Sequence, residues 1–318
     1  MVGLIGSIHR DLSPFNYEVK DELYKKMVHK VMRIFELNGV ESLSVEGRLE
    51  AADAVGQSGD PRLEFNNWIT IEEGTFFLGA QSRDPEGPNY DPAAILNTEG
   101  PPQKITLKSF ELSKYPVTVY DYAKFLKDHG YYENEFWKEG GYGLWKRPDE
   151  WDAQIQYPNR PVVGISWFEA MAYCKWKGFG VCLPTEAQWE RAARGLEGRR
   201  FPWGSESPQS SLLNFLNSDL KQVTPVGFYP KGATPEGIYD LSGNTFEWCL
   251  DSYGDFPGEF KKQTGERLSA KNNSKNGTVR GGSFNNVAFL VRTAFRGLYD
   301  RKHRSNLVGF RICKNSPD

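Results

Sequence analysis

The stretch VRGGSFNNVAFLVRTAFRGLYDRKHRSNLVGFR (residues 279–311) begins and ends on short glycine-marked phrases, RGGSF and GFR. Between them Val287, Phe289, Leu290, Phe295, Leu298, Tyr299 and Leu307 are interleaved with Arg, Asn and Gly. Such a stretch is a buried strand pair, a catalytic lip or a surface that grips a ligand. The rest of the chain decides among the three.

With 318 residues and 39% hydrophobic content, the chain can bury one large core or two modest ones. Its net charge of −2 gives no global electrostatic reason to expect nucleic acid or an acidic membrane as partner. Aromatics make up 14% of the chain beside 32 glycines, which suggests a loop-rich fold held by aromatic packing. Cys174, Cys182, Cys249 and Cys313 are too scattered for a disulfide framework, so packed, reduced thiols in a cytoplasmic protein are expected. The N-terminal MVGLIGSIHRDLSPF lacks a basic n-region and does not read as a signal peptide. Nor is there an 18-residue apolar run to span a membrane.

The chain changes texture near residue 65. Before it, Leu23, Met27, Val31, Ile34 and Phe35 recur at helical spacing, with Gly39 as a C-cap. A second helix carries Leu49, Ala52 and Val55 on one face and stops at Gly59–Asp60–Pro61. The pair resembles one unit of a helical repeat and needs a surface to dock on. After it, WITIEEGTFFLGA reads as two strands and QKITLKSFELSKYPVT as two more around a turn. Three helices follow, with N-caps at Thr118, Ser166 and Thr185. The last two open with the capping boxes Ser166-x-x-Glu169 and Thr185-x-x-Gln188. The alternation is too irregular for βαβ units, so the class is α+β.

Residues that carry chemistry are sparse. His9, His29, His129 and His303 form no ligand pair, and no HExxH motif, G-x-S-x-G elbow or P-loop occurs. Oxygen ligands are more promising. Asn214 lies in LLNFLNSD, and Asn244 and Glu247 lie in YDLSGNTFEWCLD, side chains of the kind a Ca²⁺ ion takes in irregular loops. The same residues also cap turns.

The phrases NRPVVGISWFEAMAYCKWKG, LPTEAQWERAARG, RRFPWG, TPVGFYPKGATPEGIYDLSGNTFEWCLDSY and VRGGSFNN…RTAFR…NLVGFRI occur in one order. In that order and spacing the chain resembles the formylglycine-generating-enzyme-like (sulfatase-modifying factor) family over about residues 66–314. The resemblance implies a variant of the C-type lectin fold, with a small antiparallel sheet, flanking helices and much loop. It also implies a structural Ca²⁺ ion near Asn214, Asn244 and Glu247.

Three branches of that family differ in what they do. The enzyme that makes formylglycine holds copper on two thiols, and the matching positions here are Asn286 and Val291, which supply none. The iron-dependent sulfoxide synthases place three His in a helical domain ahead of the lectin-like one. Here MVHKVMRIFE lacks the second His of their HxxxHxE pattern. The third branch comprises variable proteins of diversity-generating retroelements, whose C-terminal face is rewritten mostly at AAC codons. On that frame Gly281, Gly282, Ser283, Arg292, Ala294, Arg296, Arg304, Asn306, Gly309, Phe310 and Arg311 are constant. Val287, Phe289, Leu290, Phe295, Gly297, Tyr299, Asp300, His303, Ser305 and Leu307 are the varied, ligand-binding positions. Codons of the form NNC can encode all ten and cannot encode Glu, Lys, Met, Gln or Trp, none of which stands there.

The expectation is therefore an α+β, formylglycine-generating-enzyme-type lectin fold. Residues 1–64 form a docked helical leader and 65–318 the lectin-like domain, with a variable region at about 279–311. The protein is expected to bind an unknown macromolecular ligand as a monomer, without catalysis. Alternatives are an iron- or copper-dependent oxygenase or a regulatory interaction module. Structural Ca²⁺ on Asn214, Asn244 and Glu247 is expected, and neither copper nor iron.

Overall fold

The computed structural model describes Ile8 and residues 20–39, 43–64, 67–254 and 275–315. The signal-peptide reading, apart from Ile8, and His9 lie outside these residues. In the leader, α1 (Glu22–Val31) starts where the Asp21 carboxylate accepts the N–H groups of Leu23 and Tyr24. It tightens into a 3-10 turn at Met32–Phe35, which shifts the helical phase. Tyr24, Val28, Ile34 and Phe35 are buried as a result, and Leu23 is left 67% exposed. Helix α2 (Val45–Gln57) buries Leu49, Ala52 and Val55.

The leader does not stand alone. Its apolar residues close one cluster with Phe228 and Tyr229, and Arg48 lies 4.0 Å over the Phe228 ring. Arg160 grips Asp53 at 2.6 and 2.9 Å, and Asn159 donates to the Ala52 carbonyl and to Asp60. Helices of this length are marginal in water, and burial of one face is what holds them.

Four strands follow: β1 (Trp68–Ile71), β2 (Gly74–Leu78), β3 (Gln103–Leu107) and β4 (Phe110–Ser113). The sequence suggests pairing within each couple, but the structure nests them instead. β2 pairs with β3 as a two-stranded ribbon, while β1 pairs with β4 in a separate sheet. Helix α3 (Val119–Lys127) is capped by Thr118 and buries Tyr122 and Phe125, with Leu126 partly covered. Helix α4 (Trp167–Lys177) and helix α5 (Glu186–Arg194) each start on the expected capping box, reciprocated by both side chains. Strand β5 (Val181–Cys182) lies between these two helices.

The remaining strands are β6 (Phe246–Ser252), β7 (Asn276–Arg280), β8 (Gly297–Asp300), β9 (Val308–Phe310) and β10 (Cys313–Asn315). They complete two four-stranded sheets, ordered β1-β4-β10-β5 and β8-β7-β6-β9. Pairing is antiparallel except for β6 with β9, so the expected small antiparallel sheet is in fact mixed. The main core lies between the second sheet and α3 and α4, where Tyr122 stacks on Tyr173 at 5.4 Å with Phe310 edge-on to both. Phe284 and Phe310, in the two glycine-marked phrases that bound the opening stretch, are both buried.

Candidate functional site: an aromatic face on a bed of ion pairs

Five arginines of the 279–311 stretch are drawn into the protein and each holds a carboxylate, whereas Arg301 donates to the Ser252 hydroxyl at 2.7 Å. Arg280 bridges Glu186 at 2.8 Å and Glu190 at 2.5 Å. Arg296 grips both oxygens of Glu186 and donates to the Thr98 carbonyl. Arg292 joins Asp91 at 2.7 Å to Glu99 at 2.8 Å, and Arg311 takes both oxygens of Glu247. Arg304 donates to Gly164 O at 2.8 Å and lies 3.3 Å from Glu169. Buried charges are costly unless paired, so these ion pairs fix backbone positions rather than merely decorate them, even though Arg280 Nε itself has no partner. Glu186 and Glu190 both come from α5, the helix that the second capping box sets in place.

The turn that opens the stretch is equally constrained. Gly282 has φ of +74°, and a Cβ there would stand 2.7 Å from Val291 Cγ1 and 2.8 Å from the Leu290 carbonyl. Asn286 closes the turn by accepting from the Ser283 N–H at 2.8 Å and the Ser283 hydroxyl at 2.7 Å. Val291 is fully buried against Phe201, Leu213 and Phe215. At the two positions where thiols would hold copper, one side chain thus closes a turn and the other fills a core.

Above this bed the ten candidate ligand positions divide. Phe289, Phe295, Tyr299 and His303 are drawn into one aromatic run. Phe289 meets Phe295 at 6.0 Å, Phe295 meets Phe246 at 6.4 Å and Phe246 meets Tyr299 at 6.1 Å. Tyr299 then stacks on His303 at 4.3 Å, with the rings within 8° of parallel. Val287 is 46% exposed and Phe289 37%, while Leu290, Phe295, Tyr299 and His303 are half-buried. Burial raises the Tyr299 phenol above its ordinary range.

The other positions are structural. Gly297 is held by packing, since a Cβ there would reach 2.9 Å from Val279 Cγ2. Asp300 is exposed and turns the chain by accepting the Lys302 N–H and, through its carbonyl, the His303 N–H. The Ser305 carbonyl accepts from Gly164, its hydroxyl accepts from Leu307 N–H, and Leu307 packs on the main core. Leu298, 45% exposed, is absent from the candidate set. Strict alternation along β8, with residues 298 and 300 exposed, is the signal that would have found it.

The proposed calcium ligands do not converge. Asn214 and Asn244 touch at 3.2 Å, and Asn244 Oδ1 also accepts the Thr224 N–H at 2.9 Å. Glu247 is elsewhere, its oxygens taken by Arg311 and by Trp189 Nε1 at 2.7 Å. Asn214 Oδ1 is buried without a partner, but the only carboxylate of the three is already taken by Arg311, and the three oxygen donors do not meet at one point. The set therefore does not fit the ion. Asn244, in the left-handed region at φ of +62°, instead binds three loops together. Its N–H donates to Asn214 O and its carbonyl accepts from Phe284 N–H.

Residues 55–316 match the family described as sulfatase-modifying factor enzyme 1-like domain. A serine/threonine-protein kinase pkn1 of Chlamydia caviae is 31% identical over 259 residues, covering 80% of this chain and 39% of that protein. Hercynine oxygenase of Mycolicibacterium thermoresistibile is 30% identical over 249 residues, covering 70% of this chain and 54% of the enzyme. Formylglycine-generating enzyme of Thermomonospora curvata is 31% identical over 223 residues, covering 58% of this chain and 70% of the enzyme. The chain thus spans about two-fifths of the first of these proteins and about half of the second. In fold it is similar to PvdO from Pseudomonas aeruginosa, with a TM-score of 0.60, 20% identity and coverage of 78% of this chain and 94% of the other. Treponema denticola variable protein 1 gives a TM-score of 0.56 at 18% identity, covering 78% and 95%. These findings bear out the expected fold and family. They overturn the expectation that the chain is no enzyme: relatives at about 30% identity are named as enzymes, one of them matched over 70% of this chain. Lost copper thiols exclude one ligand set, not catalysis as such.

Proposed function

Since the chain belongs to the sulfatase-modifying factor enzyme 1-like family, we propose that it is the substrate-recognising module of an oxygenase related to hercynine oxygenase. On this reading the substrate is an organic molecule gripped by the aromatic face. The observation that carries the proposal is the run Phe289–Phe295–Phe246–Tyr299–His303, which passes from the exposed Phe289 through the buried Phe246 to the half-buried stacked pair Tyr299–His303. Aromatic rings offer large contact area for little loss of rotamer freedom. The buried arginine pairs beneath keep that face from reorganising on binding, which lowers the cost of association. The Tyr299 phenol, raised by burial, stays protonated near neutral pH and offers an O–H donor beside the His303 ring.

Oxygenase chemistry in this family needs a metal, and the described residues do not suit one. Asn286 and Val291 provide no thiolate, and no three His, Cys, Asp or Glu side chains among the described residues are grouped to hold an ion. This chain's share is to bind and orient. Titrating hercynine into the whole chain and following tryptophan fluorescence tests the reading. Saturable binding supports it; a flat titration rejects it.

A second reading concerns how the face arose. The residue types at the ten candidate positions all fall within the NNC codon set, which favours diversification by a retroelement. A nearby near-copy of the coding stretch that differs only at adenines, beside a reverse-transcriptase gene, would support it. Absence of such a template would remove it.

A further inference from the structure

Just ahead of α5 in the chain, β5 pairs with β10, and the two strands bring two cysteines together. Cys182 and Cys313 are direct partners in the antiparallel register, and the Cys182 thiol lies 3.8 Å from the Cys313 carbonyl. Directly opposed residues of such a pair hold their Cβ atoms roughly 4.5–5.5 Å apart. A disulfide needs about 3.5–4.5 Å, so a shift of well under one strand spacing closes the gap. β5 has two residues and forms the edge of its sheet, where such a shift disturbs one neighbour only. Cys313 is fully buried while Cys182 is partly accessible. The Asn315 amide donates toward the Cys182 sulfur at 3.7 Å and is itself held by Gln188 of α5 at 2.7 Å.

We propose that Cys182 and Cys313 are a redox-responsive pair that forms a disulfide when a small-molecule disulfide such as oxidised glutathione is present. Cys182, as its thiolate, attacks the glutathione disulfide. One glutathione thiolate leaves, and a mixed disulfide remains on Cys182. Cys313 then attacks the Cys182 sulfur, its proton passing to the second departing glutathione. Two protein thiols become one disulfide, and one oxidised glutathione becomes two reduced ones. Burial and the neighbouring Cys182 keep the Cys313 thiol protonated until that step. The bridge would tie the C-terminal strand to the segment Cys182–Leu183–Pro184 that leads into α5, the helix whose Glu186 and Glu190 anchor Arg296 and Arg280. Oxidation would thereby stiffen the support of the aromatic face.

The whole chain, incubated with oxidised glutathione and mapped by peptide mass spectrometry, should lose two hydrogens and yield a peptide joining Cys182 to Cys313. The melting temperature should rise by a few degrees and fall back on reduction. Cys174→Ser should behave like wild type, whereas Cys182→Ser should form no bridge and show no shift. Cys174 is the informative control because it is buried close enough to influence the Cys313 thiol. A bridge through Cys174, a stable glutathione adduct on Cys182, or four unreacted thiols would each overturn the proposal.

Discussion

Arg311 and Glu247, both fully buried, meet through hydrogen bonds of 2.6 and 2.7 Å and so lock the residue after β9 to its parallel neighbour β6. Arg311 also donates to Ser113 O and Tyr239 O, so one guanidinium joins β4, β6, the C-terminal segment and the loop before Asp240. Arg311→Met leaves the Glu247 charge without its partner and should cost about 3–5 kcal/mol. Urea unfolding of the variant measures this. The double variant Arg311→Met/Glu247→Leu should recover part of the loss, because it removes the stranded charge.

Asp240 should make stability depend on pH in a direction opposite to the common acidic case. Burial raises its carboxyl from 3.8 to about 6, against the smaller opposing pull of the Gly227 N–H and Arg311. The folded-state value therefore lies above the unfolded one. The group favours folding fully below about pH 4, and that contribution is lost as pH rises to about 6. Asp240→Asn keeps an acceptor for Gly227 and suits the left-handed backbone at φ of +59°. The melting temperatures of wild type and variant should coincide near pH 4 and separate by pH 6, with the variant higher. A constant difference across that window contradicts the assignment.

Calcium should have no effect on the fold at Asn214, Asn244 and Glu247. Thermal melts with millimolar calcium and with a chelator should superimpose. Asn244→Ala should destabilise by about 1–3 kcal/mol in either buffer, since it strips the buried Thr224 N–H of its acceptor. A chelator-induced drop in melting temperature that disappears in Asn244→Ala would restore the metal site.

Gly282→Ala places a methyl against Val291 and the Leu290 carbonyl at a positive φ. A loss of about 1–3 kcal/mol is expected from backbone strain and overpacking. Gly143, whose added Cβ meets nothing within 4 Å at φ of +77°, separates the two effects, since Gly143→Ala carries only the strain.

Local devices were the most legible part of the sequence. Both capping boxes and the Thr118 cap need only residues three or four apart, and all appear where the sequence put them. The arginine frame was legible as a set of arginines but not as pairs, because Arg292 finds Asp91 201 residues away. The same distance effect misplaced Glu247. Its spacing to Asn244 suggests a calcium loop, but Arg311, 64 residues on, claims it. Strand pairing failed for a related reason. Periodicity marked β1 to β4 correctly, but it carries no information on which strand meets which, and the nested order followed from tertiary packing. At the candidate face, residue type separated frame from surface in outline. Gly297, Ser305 and Leu307 crossed into the frame, because what a side chain or a missing Cβ touches is not written in its neighbours.

The central claim is that the aromatic face recognises the substrate. Tyr299→Ala removes the ring that joins Phe246, Trp248 and His303, while Phe179→Ala, at a fully exposed turn far along the chain, serves as control. Hercynine should be titrated into wild type and both variants, with near-ultraviolet circular dichroism confirming native packing. The account predicts saturable binding to wild type and Phe179→Ala, and at least a tenfold weaker dissociation constant for Tyr299→Ala. Equal binding by all three proteins, or none by wild type, would contradict it.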